Sequence, residues 1–67
     1  MNALEWIEDN LPSNGERRDN YYRKFLAAYP KSLFSKEDVS SYLRDFGFYV
    51  MKASNEKHWR YKLLPNA

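Results

Sequence analysis

The sequence predicts a small α+β domain in which three helices are followed by a two-stranded antiparallel hairpin. Apolar residues recur at helical spacing in three segments before Gly47, and after Gly47 the repeat shortens from about 3.6 residues to about 2. The chain has 67 residues and no cysteine, so we expect a single domain over 1–67 without disulfides or thiolate zinc sites. Its core must then come largely from Phe, Tyr and Trp side chains, which make up 18% of the sequence.

The first helix is expected over 1–11. Leu4, Ile7 and Leu11 recur at helical spacing and would form its apolar side. The segment 12–16 follows, and the proline at its start ends the helix because the residue before a proline is pushed out of the helical region. The Ser-Asn-Gly run within 12–16 is typical of a turn, so we expect this segment to be an exposed loop.

The second helix is expected over 19–29 and is stopped by Pro30, which cannot continue a helix. Aromatic and aliphatic residues at helical spacing define its predicted apolar face, which consists of Tyr22, Phe25, Leu26 and Tyr29. A short connection follows, in which Leu33 and Phe34 are expected to insert into the core.

The third helix, expected over 36–46, has signals at both ends. Ser35 is a favoured N-cap residue, and Asp38 three positions later forms a variant of the capping box. Gly47 suits the left-handed position that ends many helices. The inner face is predicted to hold Val39, Leu43 and Phe46. The outer, polar face is predicted to hold Lys36, Glu37, Ser40, Ser41 and Arg44.

The hairpin is expected over 48–63. Strand-forming residues begin at its first position, a Ser-Asn-Glu turn follows, and 58–63 alternates between polar and apolar residues. This alternation predicts an inward face with Trp59, Tyr61 and Leu63. The outward face would carry His58, Arg60 and Lys62. Residues 65–67 are expected to form a frayed tail.

Three helices followed by a hairpin is the element order of a winged helix, and the sequence carries further motifs of one such family. The first two are an aromatic-rich helix at Tyr21-Tyr22-x-x-Phe25 and a helix that starts at serine, at Phe34-Ser35. The other two are a Leu-x-x-x-Gly-Phe exit from Leu43 to Phe48 and a closing Trp-x-x-x-Leu from Trp59 to Leu63. In these features the chain resembles the C-terminal winged-helix domain of phage- and plasmid-type primase-helicases. The resemblance covers about residues 3–64 and is best over 33–64.

The resemblance implies a winged-helix fold and a DNA-binding role, as a replication or regulatory accessory of phage or plasmid type. The chain has no ATPase or primase portion, so the activities of those enzymes are not implied. The wing tip at 54–57 has fewer arginines and glycines than the family pattern, which weakens the expectation of strong phosphate binding by the wing.

The composition argues against several classes of function. Only two glycines are present, so there is no Gly-rich phosphate loop, and His58 is the single histidine available for a catalytic triad or a metal site. We therefore expect no enzyme activity, no cofactor, no metal and no small-molecule substrate. No apolar run approaches the roughly 18 residues of a membrane span, so we expect no membrane partner and a cytoplasmic location.

The charge distribution favours double-stranded DNA as the partner. Residues 1–16 hold four acids and no base, whereas 17–67 hold 11 bases and five acids. A basic body of this kind attracts a phosphate backbone. The phosphate contacts are expected from Arg17, Arg18, Arg23, Lys36, Lys52, Lys57 and Arg60.

The third helix would enter the major groove and place Ser40, Ser41 and Arg44 at base edges. Arg44 is the one residue of these three suited to a bidentate contact with guanine. Glu37 and Asp45 flank it and would repel phosphate, which is the chief objection to this docking mode.

The alternative is a protein–protein interaction module, or an inhibitor of a larger protein, that binds no nucleic acid. The first helix is wholly acidic, and Trp6 is a candidate exposed anchor beside Glu5, Glu8 and Asp9.

Most of the other aromatic residues are expected in the core, namely Tyr22, Phe25, Tyr29, Tyr42 and Trp59. The pattern leaves the placement of Trp6, Tyr21 and Tyr49 open. An exposed aromatic residue beside a basic face could stack a single-stranded base.

Overall fold

The computed structural model of the chain describes residues 2–65. Its elements are, in chain order, α1 (Ala3–Asp9), α2 (Arg18–Ala28), α3 (Lys36–Arg44), β1 (Phe48–Met51) and β2 (Arg60–Leu63). The two strands pair antiparallel. The predicted fold class is confirmed, since three helices followed by an antiparallel hairpin form a small α+β domain with the layout of a winged helix.

Helix α1 is shorter than the 1–11 predicted, and residue 1 lies outside the described residues. Asn2 is its N-cap, and the Asn2 side chain accepts a hydrogen bond from the Glu5 amide at 2.9 Å. At the other end the Asn10 side chain donates to the Trp6 carbonyl at 2.9 Å, so the helix ends before the proline is reached. Of its predicted apolar side only Ile7 is buried, and Leu4 and Leu11 are exposed.

Helix α2 buries Phe25 of the predicted apolar face, together with Tyr21, whose placement the sequence left open. Tyr21 and Phe25, four positions apart, are its buried residues. Tyr22, Leu26 and Tyr29 lie beside these two residues, half-buried against the core. The Tyr21 hydroxyl donates to the Asn10 carbonyl at 2.7 Å, which explains how a tyrosine is tolerated at this buried position.

Helix α3 has the predicted start and a slightly earlier end. The Asp38 amide donates to Ser35 Oγ at 3.1 Å, and the Ser35 amide donates to Asp38 Oδ2 at 2.9 Å, which completes the capping box. The regular helix stops at Arg44 rather than at residue 46, and Gly47 has a φ of 89°. A positive φ is readily adopted by glycine, so the predicted left-handed conformation is confirmed, although the C-cap residue is Asp45, two positions before Gly47.

The segment 12–16 is a loop as predicted, but it is only partly exposed. Pro12 is buried, and the backbone after it contacts β2, with an isolated antiparallel bridge between Arg17 and Arg60. The Gly15 amide donates to the Tyr61 carbonyl at 2.6 Å, and the Tyr61 amide donates to the Glu16 carbonyl at 2.8 Å. Since β1 covers only one edge of β2, these bonds satisfy backbone groups that the other edge would leave unpaired.

The inward face of the hairpin is also smaller than predicted. Tyr61 is 1% exposed and Phe48 is buried, whereas Trp59 is 44% exposed and Leu63 is about half exposed. The placement of Trp59 and Leu63 inside was therefore wrong. Strand β2 begins at residue 60 rather than 58, and only its centre lies over the helices.

The connection between α2 and α3 differs from its prediction at both residues. Leu33 is 98% exposed and does not insert into the core. Phe34 is partly exposed, with its ring centroid 6.4 Å from that of Phe25. The predicted frayed tail at 65–67 lies outside the described residues at its last two positions.

Candidate nucleic-acid interface

The predicted base-reading face of α3 is only partly on the surface. Ser40 is 6% exposed, and its Oγ lies 2.9 Å from the Tyr61 hydroxyl. The prediction that Ser40 lies on the outer face was wrong. Its small side chain packs between α3 and β2, and the Tyr61 hydroxyl is the hydrogen-bond partner that a buried polar group needs. Burial raises the pKa of Tyr61, so the pair stays neutral and hydrogen-bonded. Ser41 and Arg44 are exposed as predicted.

The remaining charges on α3 are unfavourable for contact with phosphate. Lys36 is already paired, since its Nζ lies 2.8 Å from Asp19 Oδ1 and holds the pKa of that carboxyl below its usual range. Within residues 2–65, Arg44 forms no ion pair. The exposed acids on and just after this helix are Glu37, Asp38 and Asp45. The surface that α3 offers is therefore predominantly acidic.

Basic residues instead meet on the outer side of the sheet. Arg17, the residue before α2, lies directly opposite Arg60 of β2 in an isolated antiparallel bridge. Lys62 lies two residues further along β2 and pairs with Tyr49, while Met51 pairs with Arg60. Because facing residues of an antiparallel ladder share one face of the sheet, these five side chains lie on the same side. We call this surface the basic sheet face.

The two arginines share one nearby carboxylate. Arg60 Nε lies 2.9 Å from Glu56 Oε2, and Arg60 Nη1 donates to the Gly15 carbonyl at 3.0 Å. The pKa of Glu56 is lowered chiefly by its hydrogen bond with Arg60, and the charge of Arg17 acts in the same direction. Like charges directly opposite each other in a sheet are destabilising. A single carboxylate leaves this pair with a net positive charge.

Arg18, the residue after Arg17, contacts Trp59, the residue before Arg60. Its Cζ lies 5.9 Å from the centroid of the Trp59 ring, which is a cation–π distance. The Nε atoms of Arg17 and Arg18 are buried without a hydrogen-bond partner among the described residues. Unpaired buried donors are rare in folded proteins and call for a physical explanation.

The other predicted phosphate contacts are dispersed. Arg23 lies on the exposed side of α2, where its guanidinium is 3.5 Å from the Asn20 side chain. Lys52 and Lys57 lie in the loop between the strands, and Lys52 Nζ donates to the Glu56 carbonyl at 3.2 Å. Sequence reasoning did not include Lys62 among the contacts, although the alternation over 58–63 already placed it on the same face as Arg60.

The acidic α1 does not expose the anchor proposed for the alternative function. Trp6 is half-buried, with its ring centroid 5.9 Å from those of both Tyr21 and Phe25. The Glu8 carboxylate accepts a hydrogen bond from the Tyr42 hydroxyl at 2.8 Å, which raises the pKa of Tyr42. Glu5, Glu8 and Asp9 are exposed as expected, so an acidic surface is present without Trp6 projecting from it.

Comparison of the chain with models of protein families, with curated proteins and with solved structures gives no match. Over residues 2–65, no helix is long and apolar enough to cross a membrane. The same part of the chain brings together no group of three or more side chains suited to holding a metal ion.

Proposed function

We propose that the protein binds DNA, with duplex DNA as the main target, through the basic sheet face and the loop that follows β1. The observation that carries this proposal is the cross-strand pairing of Arg17 with Arg60, together with Lys62 on the same face. Glu56 is the one carboxylate bonded to this pair among the described residues. A phosphate group at this surface would supply the missing negative charge.

The physical basis is electrostatic. Neutralising phosphates with lysine and arginine releases the counterions condensed on DNA, and this release supplies most of the affinity of non-specific binding. The Nε atoms of Arg17 and Arg18 form no hydrogen bond among the described residues, so internal contacts leave part of each guanidinium group's hydrogen-bonding capacity unused. Arginine is also the side chain best matched to bidentate contact with phosphate.

Recognition of the DNA base sequence by α3 in the major groove has less support than contact with the phosphate backbone. Ser40 is unavailable, and Ser41 and Arg44 are surrounded by acids that would repel the backbone on either side. We therefore expect contacts to the backbone to dominate, which position a protein on DNA but carry little sequence information. Binding should then be modest in affinity and nearly independent of sequence.

The test is a gel-shift titration with random duplex DNA at about 50 mM and about 200 mM salt, over which phosphate-driven binding falls steeply. Lys62→Glu should weaken binding at the lower salt by at least about tenfold, because it reverses a charge on the contact surface. Lys31→Glu makes the same change in net charge from the α2–α3 connection, and it should have a much smaller effect.

Two outcomes would contradict this proposal. Absence of binding at the lower salt would remove DNA as the partner. Loss of binding in Arg44→Glu with full binding in Lys62→Glu would instead assign the contact to α3 in the major groove. Single-stranded DNA belongs in the same titration, because the partly exposed Tyr49 beside Lys62 could stack a base.

A further inference from the structure

A second surface, away from the residues of the basic sheet face, is apolar and unoccupied by the chain itself. An open groove of about 470 Å³ runs between α1 and α3. Leu4 and Ile7 line it from α1, Val39 lines it from α3, and Phe34 lines it from the preceding connection. We call this the α1–α3 groove.

A neighbouring groove extends the apolar surface. It has a volume of about 710 Å³ and is lined by the start of α1, the end of α2 and the connection that follows, including Ala3, Tyr29, Pro30 and Leu33. Phe34 lines both grooves, so the two adjoin at this side chain. Leu33, which is almost wholly solvent-exposed, lies at the edge of this surface. A contiguous exposed apolar area of this kind marks an interaction site more often than a single exposed leucine does.

The charged groups at the α1–α3 groove itself are acidic, whereas Lys31 lines the neighbouring groove. No lysine or arginine is among the described lining residues of the α1–α3 groove, and Asp38 is one of them. Tyr42 also lines it, and its hydroxyl is bonded to Glu8 at 2.8 Å. The pKa of Tyr42 is raised chiefly by that hydrogen bond and in smaller part by the charge of Asp45, so this acid is also near. The groove therefore has an apolar floor and an acidic rim.

We propose that the α1–α3 groove binds an amphipathic helix of another protein, with apolar residues on one face and lysine or arginine beside them. Charge complementarity selects this occupant, since basic flanks would meet Glu8, Asp38 and Asp45 while the apolar face covers Leu4 and Phe34. An amphipathic helix in a hydrophobic groove is a recurring mode of peptide recognition, with anchors spaced by three or four residues. The site is separate from DNA binding and does not depend on it.

A second copy of this chain fits the groove less well. The exposed basic side of α2 presents Asn20, Arg23, Lys24 and Ala27. That face has the required positive charge, but its largest apolar group is a methyl. It cannot fill a groove whose floor is lined by leucine, isoleucine and phenylalanine side chains. A helix from a different protein is therefore the occupant that this surface favours.

The experiment titrates isotope-labelled protein with a synthetic amphipathic peptide of leucine and lysine, followed by amide chemical shifts. A peptide of leucine and glutamate with the same apolar pattern is the charge-reversed comparison. The lysine peptide should bind and shift resonances of Leu4, Phe34 and Ser41, and the glutamate peptide should not bind. Ser41→Arg should weaken binding at least about tenfold, since it places bulk and positive charge in the groove.

Ser54→Arg is the matched control, because it makes the same substitution at an exposed position in the loop between the strands. It should leave peptide binding unchanged, and both variants should keep the wild-type thermal midpoint. Equal binding of the two peptides, binding of neither, or shifts that map elsewhere would each overturn the proposal. Concentration-dependent self-association that Ser41→Arg abolishes would overturn it in favour of a second copy.

Discussion

The pair formed by Ser40 and Tyr61 joins α3 to β2 inside the core. Both side chains are buried, and their hydroxyl oxygens lie 2.9 Å apart. A hydrogen bond between neutral groups contributes only about 1 kcal/mol net, but an orphaned buried hydroxyl costs about 1–3 kcal/mol. Removing one hydroxyl of the pair should therefore cost more stability than the hydrogen bond itself contributes.

This pair can be tested by a double-mutant cycle. Ser40→Ala and Tyr61→Phe should each lower the free energy of unfolding by about 1–2 kcal/mol, because each leaves one buried hydroxyl unpaired. The double variant should lose less than the sum, since no orphan remains. Urea denaturation measures all three, with Tyr49→Phe at an exposed tyrosine as the control. Simple additivity would contradict the proposed coupling.

At the scale of elements, α3 is the helix whose ends are determined most completely by local chemistry. Its capping box uses two residues three positions apart, and its end uses one glycine with positive φ. Both devices satisfy backbone groups that a helix terminus leaves without intrahelical partners. Neither depends on the rest of the fold, so both were predictable from the sequence.

Substitution of Ser35 and of Ser41 distinguishes the effect of the helix cap on stability from that of the exposed side of α3. Ser35→Ala should destabilise the protein by about 1 kcal/mol, because the Asp38 amide loses its acceptor. Ser41→Ala, on the exposed side of α3, should change stability by no more than about 0.5 kcal/mol, in the stabilising direction if at all. Urea midpoints with equal slopes give both values. Equal losses in the two variants would show that the cap bond contributes nothing.

At the scale of the whole molecule, stability depends on a small core. Within residues 2–65, the buried core cluster consists of Ile7, Tyr21, Phe25, Val39, Leu43, Phe48 and Tyr61. They come from all three helices and both strands. A chain of this size buries a smaller share of its surface than a larger domain does, so each core residue carries a large part of the stability.

Replacing one buried and one exposed leucine by alanine measures how strongly the stability depends on the core. Leu43→Ala should cost about 2–5 kcal/mol, because it removes a fully buried side chain and leaves a cavity. Leu33→Ala should change stability by less than about 0.5 kcal/mol, because Leu33 is 98% exposed. Thermal melting followed by circular dichroism compares the two. A large loss in Leu33→Ala would mean that this residue packs against the protein after all.

The sequence by itself determined the order of the elements, the position of the hairpin and the start of α3. These features follow from hydrophobic period, proline and glycine positions and capping side chains, all of which act within a few residues. The same signals placed Ser41 and Arg44 on the surface correctly, and Lys62 on the outer side of the hairpin. These local signals also predicted that the acidic residues of α1 are exposed.

Tertiary structure alone decided which neighbouring residue on an amphipathic element is buried. Periodicity placed Ser40 on the exposed face and left Tyr21 open, and packing against β2 and α1 buried both. Tertiary structure also brought the loop before Arg17 against β2 and placed Arg17 opposite Arg60. Such contacts join residues far apart in the chain, where backbone pairing and close packing, rather than local preference, determine the lowest free energy.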